Sequence, residues 1–208
     1  MRKPGTMTSS TSEVNRREIA AAACELVADG GLDTVSLRRI AKHLGSTTGY
    51  ISHYYVDKND LLEAALRSAL TELTTHLGVP SKDLAEWVDT ASSIMPGNGE
   101  HERFWRVLTA FQAASLNSTR LSGVLRHYAA DNEAALARHL LAVVPAGTPD
   151  AEIRALARSL FAAVAGLGTT STISPGAFTV EQHRAVIRAA VAGLIEEFTA
   201  RHGAAPSP

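Results

Sequence analysis

The chain has 208 residues, enough for one ample core or two small domains, and its 45% hydrophobic content excludes a globally disordered protein. Aromatics make up only 5% while Ala and Leu abound, which favours helices over sheets. A net charge of −1 excludes polyanion binding by bulk charge, but residues 1–58 carry +2 and residues 59–208 carry −3, a modest asymmetry with the right sign for a nucleic-acid-binding part at the N-terminal end.

Residues 1–12 read as a disordered tail of Ser, Thr, Gly and Pro; they lack the apolar centre of a signal peptide. Arg2 and Lys3 there form either a minor-groove arm or a solvated tail. No apolar run is long enough to span a membrane, and the lone Cys24 has no disulfide partner, so a cytoplasmic location is expected. The spacing of Ile19, Ala23, Leu26 and Val27 predicts a first helix over Val14–Asp29, with Cys24 as a small core residue and Gly30-Gly31 as the stop. Arg16 and Arg17 at its start either touch phosphate or form a solvated face. Ser36 caps a second helix, with Leu37, Ile40, Ala41 and Leu44 on one stripe and Gly45 ending it. Ser46 or Thr47 caps a third helix to about Tyr55, and Asp57 with Asp60 opens a long fourth one to about Leu77.

Gly78-Val79-Pro80 is a break, after which Ser81 is expected to cap a helix ending near Met95. Further helical patterns run over Glu100–Asn117 and Thr119–Val144. Thr148-Pro149 reads as a cap followed by Pro at the first helical position, opening a helix to about Thr170. Thr179 and Gln182 form a capping box for the last helix, to about His202. The expected fold class is therefore all-α, with about nine helices. The expected domains are a helix-turn-helix DNA-binding part over 13–58, an effector-binding and dimerisation part over 59–203, and a frayed tail over 204–208.

Between Thr34 and Val56 the chain holds no Asp or Glu, but it holds Arg38, Arg39, Lys42, His43 and His53. A short helix, a Gly turn and a second short helix with no acids can lie in the major groove of DNA. Gly49 costs about 1 kcal/mol inside a helix, as expected where a backbone must approach something closely. Lys58, in the first turn of the fourth helix, opposes the helix dipole unless an external phosphate joins it there.

Gly31, Ser36, Ile40, Ala41, Gly45, Thr47, Gly49, Ile51, Tyr55, Lys58 and Leu61, at these spacings, make the chain resemble the TetR family of bacterial transcription regulators. The run GYISHYYVDKNDLLEA is similar to the choline-responsive betaine-regulator subgroup, and a fainter likeness extends through RFWRVLTAFQAASL and the last two helices. The resemblance implies a ligand-responsive repressor that binds a palindromic operator in double-stranded DNA as a homodimer. It implies that Thr47, Thr48, Tyr50 and His53 line the exposed side of the recognition helix, with Gly49 at the closest approach. Thr48 and His53 would bond base edges, and Tyr50 would meet a thymine methyl. Arg38 matches a guanine-reaching position, and Ser36, Tyr54 and Lys58 match phosphate-contacting ones. Many relatives have Tyr where this chain has Ser52, which makes a shorter phosphate contact or none.

No charge occurs from Leu160 through Ala177, so the helix there needs cover on two sides. Leu160, Val164 and Leu167, with Val191, Leu194, Ile195 and Phe198 of the last helix, are the expected dimer interface. Trp87, Met95, Phe104, Trp105, Phe111 and Tyr128 are candidates for a small-molecule effector site, an aromatic cluster that would attract a quaternary ammonium. Their alternative role is plain core. The eight His are scattered with no His-x-x-x-His pair, and Glu100/Glu102 and Glu196-Glu197 read as solvated helix-end acids. No nucleophile or phosphate-binding motif appears, so neither catalytic residue, metal ligand nor cofactor is expected. The alternative to a DNA-binding regulator is an all-helical dimeric adaptor or small-molecule-binding protein, which leaves the acid-free window, Gly49 and Lys58 without a purpose.

Overall fold

The computed structural model describes residues 7–77, 83–97 and 99–202. The expected outer tails, the Arg2–Lys3 arm, the Gly78-Val79-Pro80 break and the Ser81 cap lie outside these. Among the described residues there are nine α-helices, one 3-10 turn and no strand. The helices are α1 (Met7–Gly30), α2 (Leu37–His43), α3 (Thr48–Tyr54), α4 (Lys58–Leu77), α5 (Leu84–Ser93), α6 (Gly99–Ser115), α7 (Thr119–Leu140), α8 (Asp150–Ile173) and α9 (Val180–His202); the 3-10 turn is Leu32–Thr34. No described helix is long and apolar enough to cross a membrane.

Helix ends follow local chemistry, and four depart from the sequence expectation. Helix α1 starts at Met7 rather than Val14, so residues 7–12 are helical rather than a tail. Pro4 and Gly5 are the last strong breakers upstream of it. Asp83 caps α5, accepting the Glu86 amide at 2.9 Å, so this helix begins later than Ser81 would have set. Helix α7 stops at Leu140, whose carbonyl accepts both the Val143 and Val144 amides in a turn; Pro145 disfavours helix in the residue before it. Thr148 does not cap α8. Its hydroxyl turns back to the Pro145 carbonyl at 2.7 Å, and Pro149 is the cap residue. The Thr179–Gln182 box forms as expected, with the Gln182 amide to Thr179 Oγ1 at 3.2 Å and the Thr179 amide to Gln182 Oε1 at 2.8 Å.

The chain divides into two compact units. One comprises residues up to Thr74 together with Arg106–Leu125; the other comprises Thr75–Trp105 and Arg126 onward. In the first unit, α1 packs on the 3-10 turn and α2, and α2 packs on α3. Its core holds Ile19, Ala23, Val27, Ile40, Ile51, Leu61 and Leu66. Each fully buried Leu or Ile adds about 1.5–3 kcal/mol by leaving water. Cys24 is half-buried, its thiol directed at the Ala65 carbonyl at 3.2 Å. Glu63 of α4 pairs with Arg67 at 2.9 Å and with Arg120 of α7 at 3.0 Å, and Arg67 holds its carboxyl below the usual carboxylate range.

In the second unit, α9 packs against both α8 and α5. Helices α8 and α9 form an antiparallel pair, closed at one end by a contact between the His202 imidazole and the Glu152 carboxylate. Trp105 is buried, with its indole N–H donating to the Ile94 carbonyl at 2.6 Å. Its ring occupies the space beside Gly168, where a Cβ would sit 2.1 Å from Cη2, so only glycine admits the ring there.

Candidate nucleic-acid interface

The helix-turn-helix is built by two caps and one turn. Ser36 Oγ accepts the Arg39 amide at 3.2 Å and Thr47 Oγ1 accepts the Tyr50 amide at 3.2 Å. Between them Gly45 adopts φ +62°, and the Ser46 amide returns to the Ala41 carbonyl at 2.8 Å. That reversal needs a left-handed residue, which Gly supplies without strain. Ile51 is 0% and Tyr55 1% exposed, so the α3 stripe that faces inward is fixed.

Helix α1 grips the far end of α3. Asn15 Nδ2 donates to the Tyr54 hydroxyl at 2.8 Å, and Arg16 donates to the Tyr54 carbonyl. The Arg16 guanidinium also lies over the Tyr55 ring, 4.5 Å from its centroid, while the Tyr55 hydroxyl donates to the Arg16 carbonyl at 2.7 Å. Burial pushes the Tyr55 phenol above its usual pKa against the pull of Arg16, so it stays a neutral donor. Arg16 is thus a clamp between helices, a role its position in the sequence did not signal. Arg17 instead pairs with Glu13 one turn earlier, at 3.4 Å.

With the inner face fixed, Thr47, Thr48, Gly49, Tyr50, Ser52 and His53 all lie exposed, with Tyr54 half-buried at their edge. The Tyr50 and His53 rings each stand edge-on to Tyr54, at 5.1 and 5.0 Å. Ser52 Oγ donates to the Thr48 carbonyl at 3.0 Å, so its hydrogen is already used within the helix. A Cβ on Gly49 would meet only Thr47 Oγ1, at 3.9 Å; nothing in the chain itself requires glycine there. Ser36 is half-buried at its cap.

Arg38, Arg39 and Lys42 are exposed along α2 and form no side-chain hydrogen bond or ion pair among the described residues. His43 differs: its Nε2 lies 2.8 Å from Glu25 of α1, so the stretch that is acid-free in sequence has an acid beside it in space. Lys58 Nζ donates to the Leu32 carbonyl at 3.0 Å, tying the start of α4 to the 3-10 turn. One of its three N–H groups is thereby used and two remain.

The effector candidates are less united. Met95 and Trp105 are 3% and Phe111 0% exposed, each packed in core. Phe104 stands edge-on to Trp105 at 5.8 Å, whereas Tyr128 meets Phe161 at 6.2 Å, and Trp87 is half-buried. Burial pushes the Tyr128 phenol up to about 12. Phe111 belongs to the first compact unit and the other five to the second. The expected dimer stripe also needs correcting: Leu160, Leu167, Val191 and Phe198 are buried within the chain itself, where they pack α8 and α9 together. Val164, Leu194 and Ile195 are half-buried. Their exposed residues include a run of small ones, Ala162, Ala163, Gly166 and Thr170 on α8 and Ala189 and Gly193 on α9, with Val186 beside them 41% exposed. Periodicity marked the helix as apolar on all sides but could not say which side its own core takes.

Residues 19–65 match the family of bacterial regulatory proteins, tetR family, and residues 85–196 match the BetI-type transcriptional repressor, C-terminal family. The HTH-type transcriptional regulator BetI of Ectopseudomonas mendocina is 30% identical over 182 residues, covering 83% of this chain and 89% of that protein. BetI of Stenotrophomonas maltophilia is 28% identical over 178 residues, with coverages of 83% and 89%. In fold, the chain is similar to a transcriptional regulator from Rhodococcus sp. Rha1 (TM-score 0.78, 24% identity, 88% of this chain and 96% of that one). It is also similar to a transcriptional regulator from Saccharomonospora viridis solved in complex with choline (TM-score 0.66, 19% identity, 85% and 95%).

Proposed function

The chain belongs to the TetR family of helix-turn-helix transcriptional regulators, with a BetI-type repressor C-terminal part, and from that premise we propose how its own residues act. It is a DNA-binding repressor and not an enzyme. Helix α3 enters the major groove. Thr48 and His53 read base edges, Tyr50 packs on a thymine methyl, and Gly49 admits the closest backbone approach. Ser36, Thr47, Tyr54 and Lys58 hold phosphates, while Arg38, with Arg39 and Lys42 beside it, extends the contact along α2. Ser52, its hydroxyl hydrogen committed to Thr48, contributes at most an acceptor. The observation that carries this reading is the exposed α3 face, held rigid by Ile51 and Tyr55 and flanked by three cations that pair with no described residue.

A homodimer supplies two such helices to a palindromic operator, with half-sites one helical turn or a multiple apart. The partner covers the small-residue face of α8 and α9. Gly166 and Gly193 support this, because a Cβ on either meets nothing within 4 Å and each glycine costs helix stability that nothing in its own chain explains. A small-molecule effector binds near the half-buried Trp87, Phe104 and Tyr128 and shifts the spacing of the two recognition helices. Choline, bound by the Saccharomonospora viridis relative, is the first compound to try.

Selection of bound duplexes from a random pool at low salt tests the reading. The expected result is an inverted repeat whose binding falls when an effector found by thermal shift is added. Recovery of no sequence above background, or of asymmetric sites only, overturns it.

A further inference from the structure

A cleft of about 350 Å³ opens in the second compact unit, where the α5–α6 turn faces the end of α8 and the start of α9. That volume is within the range of small-molecule sites, roughly 300–1,000 Å³. None of the effector candidates lines it. Its walls carry one carboxylate, Glu102, which is exposed and forms no ion pair among the described residues. They also carry one aromatic ring, Phe178, and one imidazole, His183, with apolar surface from Pro96, Pro175 and Val180.

His183 is only 1% exposed. Its Nε2 lies 2.8 Å from Ser171 Oγ, and that hydroxyl donates to the Leu167 carbonyl at 2.8 Å. The serine hydrogen is therefore used, and the imidazole must supply the proton of the Ser171–His183 bond from Nε2. Nδ1 is then a lone-pair acceptor, and it has no partner among the described residues. A buried acceptor without a partner is costly and calls for an explanation. Protonation does not relieve it, since it would put an unpaired N–H in the same place; burial holds the imidazole below its usual pKa. The Phe178 ring sits beside it, 5.6 Å from centroid to centroid.

We infer that this cleft is a binding site for a small primary or secondary ammonium ion, which pairs its charge with Glu102, donates one N–H to His183 Nδ1 and rests against Phe178. An anion is opposed by the carboxylate and finds only an acceptor on the imidazole. A quaternary ammonium has no N–H for Nδ1, and a neutral alcohol brings no charge to Glu102 and has a single O–H, which cannot serve both groups. The inference does not depend on the residues assigned to DNA or to the effector, and its test uses no DNA.

The test titrates the full chain with n-butylammonium, tetramethylammonium and n-butanol at constant ionic strength, following the imidazole nitrogen resonances by NMR. The expected result is a saturable shift of the His183 Nδ1 signal with n-butylammonium, and affinities at least about tenfold lower for the other two probes. Glu102→Gln should weaken n-butylammonium about tenfold or more while leaving the thermal midpoint unchanged. A His183 signal that does not move, tetramethylammonium binding as tightly as n-butylammonium, or an unaffected Glu102→Gln variant each overturns the proposal.

Discussion

Gly49→Ala should raise stability and lower DNA affinity at once, and the opposite signs make it a sharp test of the interface. The new methyl lies 3.9 Å from Thr47 Oγ1 and meets nothing else, so no clash opposes it in the free protein. The backbone there is helical, and replacing Gly by Ala in a helix gains about 0.5–1 kcal/mol. For a chain of this size that is a rise in thermal midpoint of about 1–4 °C, readable by circular dichroism. In the complex the same methyl stands where the α3 backbone closes on the duplex. Forcing a methyl into a packed contact costs about 1–3 kcal/mol, or roughly a 5- to 150-fold loss of affinity, measured by fluorescence anisotropy on the selected operator. A lower midpoint would refute the view that Gly49 is free of intrachain demands. A higher midpoint with unchanged affinity would refute the close approach of α3 to DNA.

Four further outcomes follow from the structure. Lys58→Ala should weaken binding to specific and random DNA alike and reduce the salt slope by about one phosphate contact; loss of its bond to the Leu32 carbonyl should also cost about 1 kcal/mol in urea unfolding. His53→Ala should relax the preference at one base position by about 1–3 kcal/mol, seen by binding to single-base variants of the operator, whereas equal losses on all sequences would show that His53 is no reader. Glu63→Gln should be less stable than the native chain near pH 7. Arg67, then Arg120, lowers the Glu63 pKa on folding, so its stabilisation is present above the unfolded carboxylate's range and is lost as the pH falls through the folded value; the two melting temperatures should converge in acid. Gly166→Glu on the small-residue face of α8 should give a folded monomer by light scattering, because the charge meets open space in one chain and a packed surface in the dimer.

The parts of the site that sequence determined are those whose chemistry acts across three or four residues. Ser36 to Arg39, Thr47 to Tyr50 and Thr179 to Gln182 are caps written in adjacent letters, and Gly45 marks a turn whatever surrounds it. They fix where helices start and stop, and with the apolar stripes they carry the fold class and the exposed recognition helix. Thr148 shows the limit of that reading, because a hydroxyl can turn back to the preceding loop as readily as forward to a helix.

Tertiary structure alone decided which partners meet across the chain. Glu25 stands 18 residues from the His43 it pairs with, Leu32 lies 26 from Lys58, and Asn15 is 39 from Tyr54. The pairing of Ser171 with His183, across the turn between α8 and α9, depends likewise on how those helices close. Such contacts follow from which faces the helices bury together. Periodicity locates an apolar stripe, but it leaves open whether the neighbour on that stripe belongs to the same chain, a second copy or a ligand. Leu160 and Phe198 went to the chain's own core for that reason, while Gly166 and Gly193 remained outside.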